Sequence, residues 1–99
     1  MLKCRFISSP DESTMDLLRN RVRTADRKKI EHDIFGAIGL VQANVSSLFV
    51  YADIAVKSAD VIVLDIVGNC TQTMSTIAFL GTMESVKSAL TAIKQERDD

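Results

Sequence analysis

The sequence predicts an α+β domain in which helices cover one face of a mainly antiparallel sheet, and three observations carry that prediction. The stretch from Val61 to Gly81, VIVLDIVGNCTQTMSTIAFLG, holds two strand-length arms rich in β-branched residues on either side of Gly68-Asn69-Cys70. Gly-Asn is a dipeptide that takes the positive φ angles of a tight turn, so the arms read as a hairpin with a cysteine at its tip. Flanking the hairpin are two segments with apolar residues at three-and-four spacing, one before it and one after. At the front of the chain, Leu2 to Ile7 alternates, with Leu2, Cys4 and Phe6 on one face and Lys3 and Arg5 on the other, the pattern of a half-buried strand at or near an edge.

In chain order, Ser9-Pro10-Asp11-Glu12 follows that strand as a helix start, with Ser9 as N-cap, Pro10 at the first helical position and Glu12 closing a capping box. Met15, Leu18 and Val22 then recur at helical spacing. So few apolar positions predict a surface helix that ends near Arg23. Thr24 to Asp33 has only Ala25 and Ile30 to offer a core and is expected to be a connector and the most mobile segment. Ile34 to Ala43, IFGAIGLVQA, has the apolar continuity of a strand, and Gly36 and Gly39 would admit a neighbouring backbone. Asn44 or Ser46 can cap the strongest helix, whose expected core face is Val45, Leu48, Phe49, Ala52, Ala55, Val56 and Ala59. After the hairpin, Gly81 breaks the strand and Thr82 caps a last helix, with Val86, Ala89, Leu90 and Ile93 on its buried side.

From Ile34 onward the order is strand, helix, strand, strand, helix, which is five of the six elements of the ferredoxin-like split β-α-β pattern. Leu2 to Ile7 supplies the missing last strand from the front, so the fold is a circular permutation of that pattern. At 99 residues this is one domain spanning 1–99, with a permuted strand, helix and basic linker over 1–33 and the core over 34–94.

Composition narrows the function. A net charge of −1 provides no global field for nucleic acid or an anionic membrane. No run nears the ~20 apolar residues of a membrane span, and the N-terminus lacks a signal-peptide core, so the cytoplasm is the expected place. Charge is uneven, however: residues 19–29, RNRVRTADRKK, hold six basic residues and one acid. Such a run is usually a solvated face, although copies arranged around an axis would make a positive mouth. With two cysteines, Cys4 and Cys70, one chain completes neither a disulfide framework nor a four-cysteine metal site. Cys4, on the apolar face of its strand, is read as core packing, and His32, in the charged connector, as a surface histidine. No serine or cysteine has a histidine at nucleophile-and-base spacing, and no glycine-rich phosphate cradle is present, so the chain is not expected to be an enzyme.

The residues from Gly36 to Ile93 resemble the bacterial microcompartment shell-protein domain. The resemblance rests on Ala52-Asp53-Ile54-Ala55-Val56-Lys57-Ser58-Ala59, similar to the family's A-D-x-x-x-K-A-A helix, and on Gly81-Thr82-Met83-Glu84-Ser85-Val86-Lys87-Ser88-Ala89, similar to its G-D-V-x-A-V-K-A-A. It implies a homohexamer that tiles into sheets with other shell proteins around encapsulated enzymes, in the bacterial cytoplasm, without membrane or nucleic-acid partners. In such a hexamer the loop Gly68, Asn69, Cys70, Thr71, Gln72 would line the central pore, and Lys57 would meet the neighbouring hexamer. The front placement of the first strand is similar to the permuted branch of the family. The branch of glycyl-radical propanediol microcompartments is most similar, because its pore loop reads G-x-C-P-Q and is associated with an iron-sulfur cluster. The glycine, cysteine and glutamine match at Gly68, Cys70 and Gln72, while Thr71 stands where that motif has proline. The implied cofactor is an iron-sulfur cluster of the 4Fe-4S kind, shared between subunits at the pore through Cys70. The alternatives are a metal-free shell hexamer whose loop gates diffusion, and a ferredoxin-like regulatory binding module.

Overall fold

A computed structural model describes residues 2–31, 35–67 and 74–96. The elements run β1 (Lys3–Ser8), α1 (Glu12–Arg19), α2 (Thr24–Ile30), β2 (Ala37–Asn44), α3 (Val45–Ser58), β3 (Ile62–Ile66), β4 (Met74–Gly81) and α4 (Met83–Glu96). The strands form one sheet in the order β1-β2-β4-β3, and every neighbouring pair is antiparallel. Strands β2 and β3 therefore run parallel with β4 inserted between them, and α3 makes the crossover, which is the split β-α-β arrangement. Strand β1 pairs along β2 from Lys3↔Gln42 to Ser8↔Ala37, in the edge position that a strand following α4 would otherwise take. The permuted fold expected from the sequence is the fold observed.

Alternation along the central strands divides the interior in two. On one face Val41, Ala43, Ile77 and Phe79 meet Leu48, Tyr51 and Ala55 of α3 and Val86, Ala89, Leu90 and Ile93 of α4. Gly39 brings α4 close: a Cβ there would stand 2.9 Å from Val86 Cγ1 and 3.4 Å from both Leu90 methyls. The start of α4 is as predicted, with the Ser85 N–H donating to Thr82 Oγ1 at 3.1 Å. Half-buried Cys4, Leu2 and Phe6 extend this core beneath β1.

The other face is also covered. Met15 and Leu18 of α1, Val22 of the following turn and Ile30 of α2 pack on Ile38, Leu64, Ala78 and Leu80. The helix pair α3 and α4 shares one face as expected, whereas the segment taken as a surface helix and connector forms a second layer on the opposite one. Three details differ from the sequence expectation. Ser9 is not the N-cap: it sits at φ 47°, a turn conformation, and donates its N–H to the Gly36 carbonyl at 2.8 Å. Asp11 caps α1 instead, accepting from the Ser13 N–H at 3.1 Å. The first helix stops at Arg19, and Thr24–Ile30 is a helix in its own right. Strand β2 begins at Ala37, later than the expected Ile34, which itself lies outside the described residues.

A two-turn helix does not persist on propensity alone, so α2 depends on its anchors. Ile30 is fully buried. Arg27 Nε donates to the Arg19 carbonyl at 3.0 Å and ties α2 to the exposed carbonyl end of α1. Arg19 turns back along its own helix to Asp16 at 2.9 Å and Glu12 at 3.3 Å. Ile30→Ala is accordingly expected to lower the unfolding free energy by about 2–5 kcal/mol in urea denaturation, while Lys28→Ala on the exposed side of α2 changes it by less than about 0.5 kcal/mol. An Ile30→Ala loss under about 1 kcal/mol would mean that α2 is not docked as described.

Candidate pore end

The two arms of the hairpin separate at one end of the sheet. The last β3 pair is Ile66↔Thr76, and β4 begins at Met74, opposite Asn44 of β2. Gly68, Asn69, Cys70, Thr71 and Gln72, the expected pore loop, lie outside the described residues, as do His32 and Asp33, but the loop's two roots, Val67 and Met74, are both placed. The Val67 N–H donates to the Arg21 carbonyl at 2.7 Å, so the turn between α1 and α2 is bonded to one root. Arg23 Nη2 lies 3.5 Å from Asp65 Oδ2 on β3, two residues before Val67. Lys29 pairs with Asp26 at 3.2 Å on α2.

With the Arg19 and Arg27 contacts, at least four of the six cations in residues 19–29 have partners among the described residues. The basic run is folded, with Arg21, Arg23, Lys28 and Lys29 exposed on it. Its exposed pairs contribute little stability individually. Among them the Arg23–Asp65 pair joins the α1–α2 turn to β3, beside the bond from Val67 to Arg21.

The helix α3 starts at this same end, directly after Asn44, and carries Lys57 in its last turn. Twelve residues of helix separate Val45 from Lys57, about 18 Å at 1.5 Å per residue. The loop roots and Lys57 are thus at opposite ends of the domain. Lys57 keeps 75% of its side chain exposed and holds Asp53 at 2.7 Å, with the acid N-terminal to the base, the favourable order for such a pair. Among the described residues no group of three or more His, Cys, Asp or Glu side chains is arranged to hold a metal, and no helix is long and apolar enough to cross a membrane.

The outer side of α3 departs most from the sequence expectation. Leu48 and Ala55 are buried as expected, but Val45, Phe49 and Val56, assigned to the same core face, are exposed, and Tyr51 is buried in their place. The apolar arc of α3 is wider than the sheet can cover. Its surplus, Val45, Phe49, Ala52 and Val56, follows i, i+4, i+7 and i+11 spacing, and that doubled stripe is the signal in the sequence that could have separated the two faces. Beside it lies a groove of about 530 Å³ along the β3 edge, floored by Val63 and Ile77 and rimmed by Arg23, Asp26, Asp65 and Ser75.

Residues 37–98 match the family described as the BMC domain. In solved structures the chain is similar to the GrpU microcompartment shell protein from Pectobacterium wasabiae, with 35% identity over 93% of this chain and 99% of that one and a TM-score of 0.75. It is also similar to the GrpU shell protein from Clostridiales bacterium 1_7_47FAA, with 28% identity over 93% and 87% of the two chains and a TM-score of 0.66. A fused permuted hexameric shell protein from the RMM microcompartment shares the fold at 20% identity and a TM-score of 0.71, the match covering 94% of this chain and 43% of that one. No curated protein matches the sequence.

Because Lys57 touches only its own helix among the described contacts, Lys57→Ala is expected to change the unfolding free energy by no more than about 0.5 kcal/mol. A larger shift of the urea midpoint would make Lys57 a structural residue of the domain.

Proposed function

The chain belongs to the BMC-domain family of microcompartment shell proteins, and from that premise we propose that it assembles into a hexameric ring whose axis is lined by residues 68–72, with Cys70 presented as an iron-sulfur ligand. As a shell protein it is a structural component of the microcompartment wall, not an enzyme. The observation that supports the ring is the placement of the loop roots and Lys57 at opposite ends of the domain, since one must lie at an axis and the other at a perimeter. Lys57, exposed at the far end, would then meet neighbouring rings, and rings would tile with other shell proteins around encapsulated enzymes.

For the metal, the donor chemistry fits. A loop thiolate is the ligand type that iron-sulfur clusters take, and a four-iron cluster takes about four of them, more than one chain supplies. A ring multiplies the one loop cysteine to a sufficient number, although identical copies of Cys70 cannot all bind one cluster equivalently. The cluster, when bound, would supply one-electron transfer or redox sensing. The chain's own part would be to offer Cys70 as thiolate and to surround it with the polar groups of Asn69, Thr71 and Gln72, whose hydrogen bonds tune a cluster's potential. The Arg21–Val67 bond would hold the root of that loop in place.

A second reading has a specific observation in its favour. Thr71 replaces the proline of the cysteine-bearing motif, and without the ring constraint the cysteine is less rigidly aimed. On that reading the same loop gates small-molecule diffusion with no metal, and Cys70 is one pore residue among several. The regulatory-module alternative gives way to the family membership.

Anaerobically purified wild type is expected to carry about one cluster per ring, by iron and acid-labile sulfide, and Cys70→Ser none, with both proteins in the same assembly state. Iron-free wild type after cluster reconstitution would leave the diffusion gate as the function. Lys57→Ala is expected to form rings in solution yet fail to tile into sheets by electron microscopy, and unimpaired sheets would remove Lys57 from the ring-to-ring contact.

A further inference from the structure

We propose that the cleft between α1 and the less covered end of the sheet is a binding site for a small aliphatic carboxylate, with Arg21 as the partner of the carboxylate head. Helices α1 and α2 pack over Ile38, Leu64, Ala78 and Leu80. On the same face, Leu40, Ile66 and Thr76, each two residues nearer the Val67–Met74 end, are only half buried. Between them and α1 lies a cleft of about 250 Å³. Thr14, Leu17 and Leu18 of α1 form one wall, Ile7, Leu40 and Ile66 of the sheet form the other, and Arg21 lines it from the α1–α2 turn.

The lining selects the ligand. Its walls are aliphatic, with no aromatic ring, acid or side-chain amide among them. Water against such walls lacks the two to four polar partners that hold a water in place, and Leu17 leaves 67% of its surface exposed. An alkyl chain gains by displacing that water, whereas a polar ligand body would lose hydrogen bonds there. Arg21 supplies the one charge. Among the described residues no carboxylate pairs with its guanidinium, while Arg19, Arg23 and Lys29 of the same run each have one. A planar, permanently charged guanidinium matches a carboxylate through two parallel N–H···O bonds. Size sets the chain length. Drug-sized ligands fill about 300–1,000 Å³, so this cleft takes a smaller molecule, and a partner helix does not fit. The Arg21 carbonyl accepts from the Val67 N–H at 2.7 Å, which puts the head-group end of the site beside one root of the 68–72 loop. The site lies within one chain and depends neither on the ring nor on a metal.

In the test, octanoate is titrated into the assembled protein, with affinity read by calorimetry and location by NMR of the Ile and Leu methyls. Saturable shifts are expected at Ile7, Leu17, Leu40 and Ile66, and none at Leu48, Leu90 or Ile93 of the opposite core. Arg21→Gln is expected to weaken octanoate about tenfold and Arg21→Lys by less. Neutral 1-octanol is expected to bind wild type and Arg21→Gln alike, and less tightly than octanoate binds wild type. Circular dichroism checks that the variants fold. If Arg21→Gln does not, Leu17→Asp, which sets a negative charge in the exposed wall, is expected to abolish octanoate binding. Absent saturable binding, shifts spread over both cores, octanoate affinity unchanged by Arg21→Gln, or equal affinity for octanol each overturns the site and leaves the ring and metal readings untouched.

Discussion

The pairing of β2 with β4, eight residues on each strand from Ala37↔Gly81 to Asn44↔Met74, is the constraint on which the remainder depends. It places the two most buried strands at the centre of the sheet, with side chains of both directed to both faces. Each face therefore needs a cover, and the chain supplies two different ones. The helix pair α3 and α4 covers one face through a continuous aliphatic core, brought close by the missing side chain at Gly39. The other face, with Ile38, Leu64, Ala78 and Leu80, is too apolar to be left to water and takes α1 and α2. At burial of about 25 cal/mol per Å² of apolar surface, neither cover is optional for a domain of this size.

The same pairing explains which parts of the fold were legible in the sequence. Strand β1, the hairpin arms and α4 each carry a local signal that agrees with their final environment: alternation, β-branched arms, and a threonine cap before an amphipathic run. The permutation followed from the order of those elements. The second layer was not legible, because α2 has a single fully buried residue, Ile30, and no periodicity. It is helical because the apolar sheet face beneath it offers a place to dock, which is a tertiary cause that local propensity does not contain. The misplaced cap of α1 has a similar origin: the bond from Ser9 to Gly36 holds the chain in a turn, and that partner is distant in sequence.

The candidate site divides in the same way. Lys57 was singled out by the resemblance of Ala52–Ala59 to the family's helix motif, not by periodicity, and it stands exposed in the last turn of α3. The exposure of Phe49 was not, because hydrophobic periodicity reports that a residue will leave water and not whether its own core or another molecule will remove it. In α3 a buried arc of Leu48, Tyr51 and Ala55 adjoins an exposed one of Val45, Phe49 and Val56, with half-buried Ala52 between them. The Cys70 loop was the most conspicuous feature of the sequence for a different reason: a thiol between two strand-like arms stands out by chemistry, not by packing.

That loop also gives a physical sense to the basic run at the front of the chain. The N-terminal segment closes the sheet with β1, yet closing a sheet edge requires only a strand. The further residues return beneath the sheet, bury Met15, Leu18, Val22 and Ile30, and deliver the Arg21 carbonyl to the Val67 N–H at the hairpin's open end. The arginines of residues 19–29 hold this layer together by helix-to-helix and helix-to-strand contacts, Arg27 to the Arg19 carbonyl and Arg23 to Asp65. Of the two hairpin strands, β3 is an edge strand paired on one side only. Bonding Val67 to a packed turn compensates for the neighbour that β3 lacks. The front segment is therefore a buttress for the loop as much as a lid on the second core, and its arginines belong to that support before they belong to any partner.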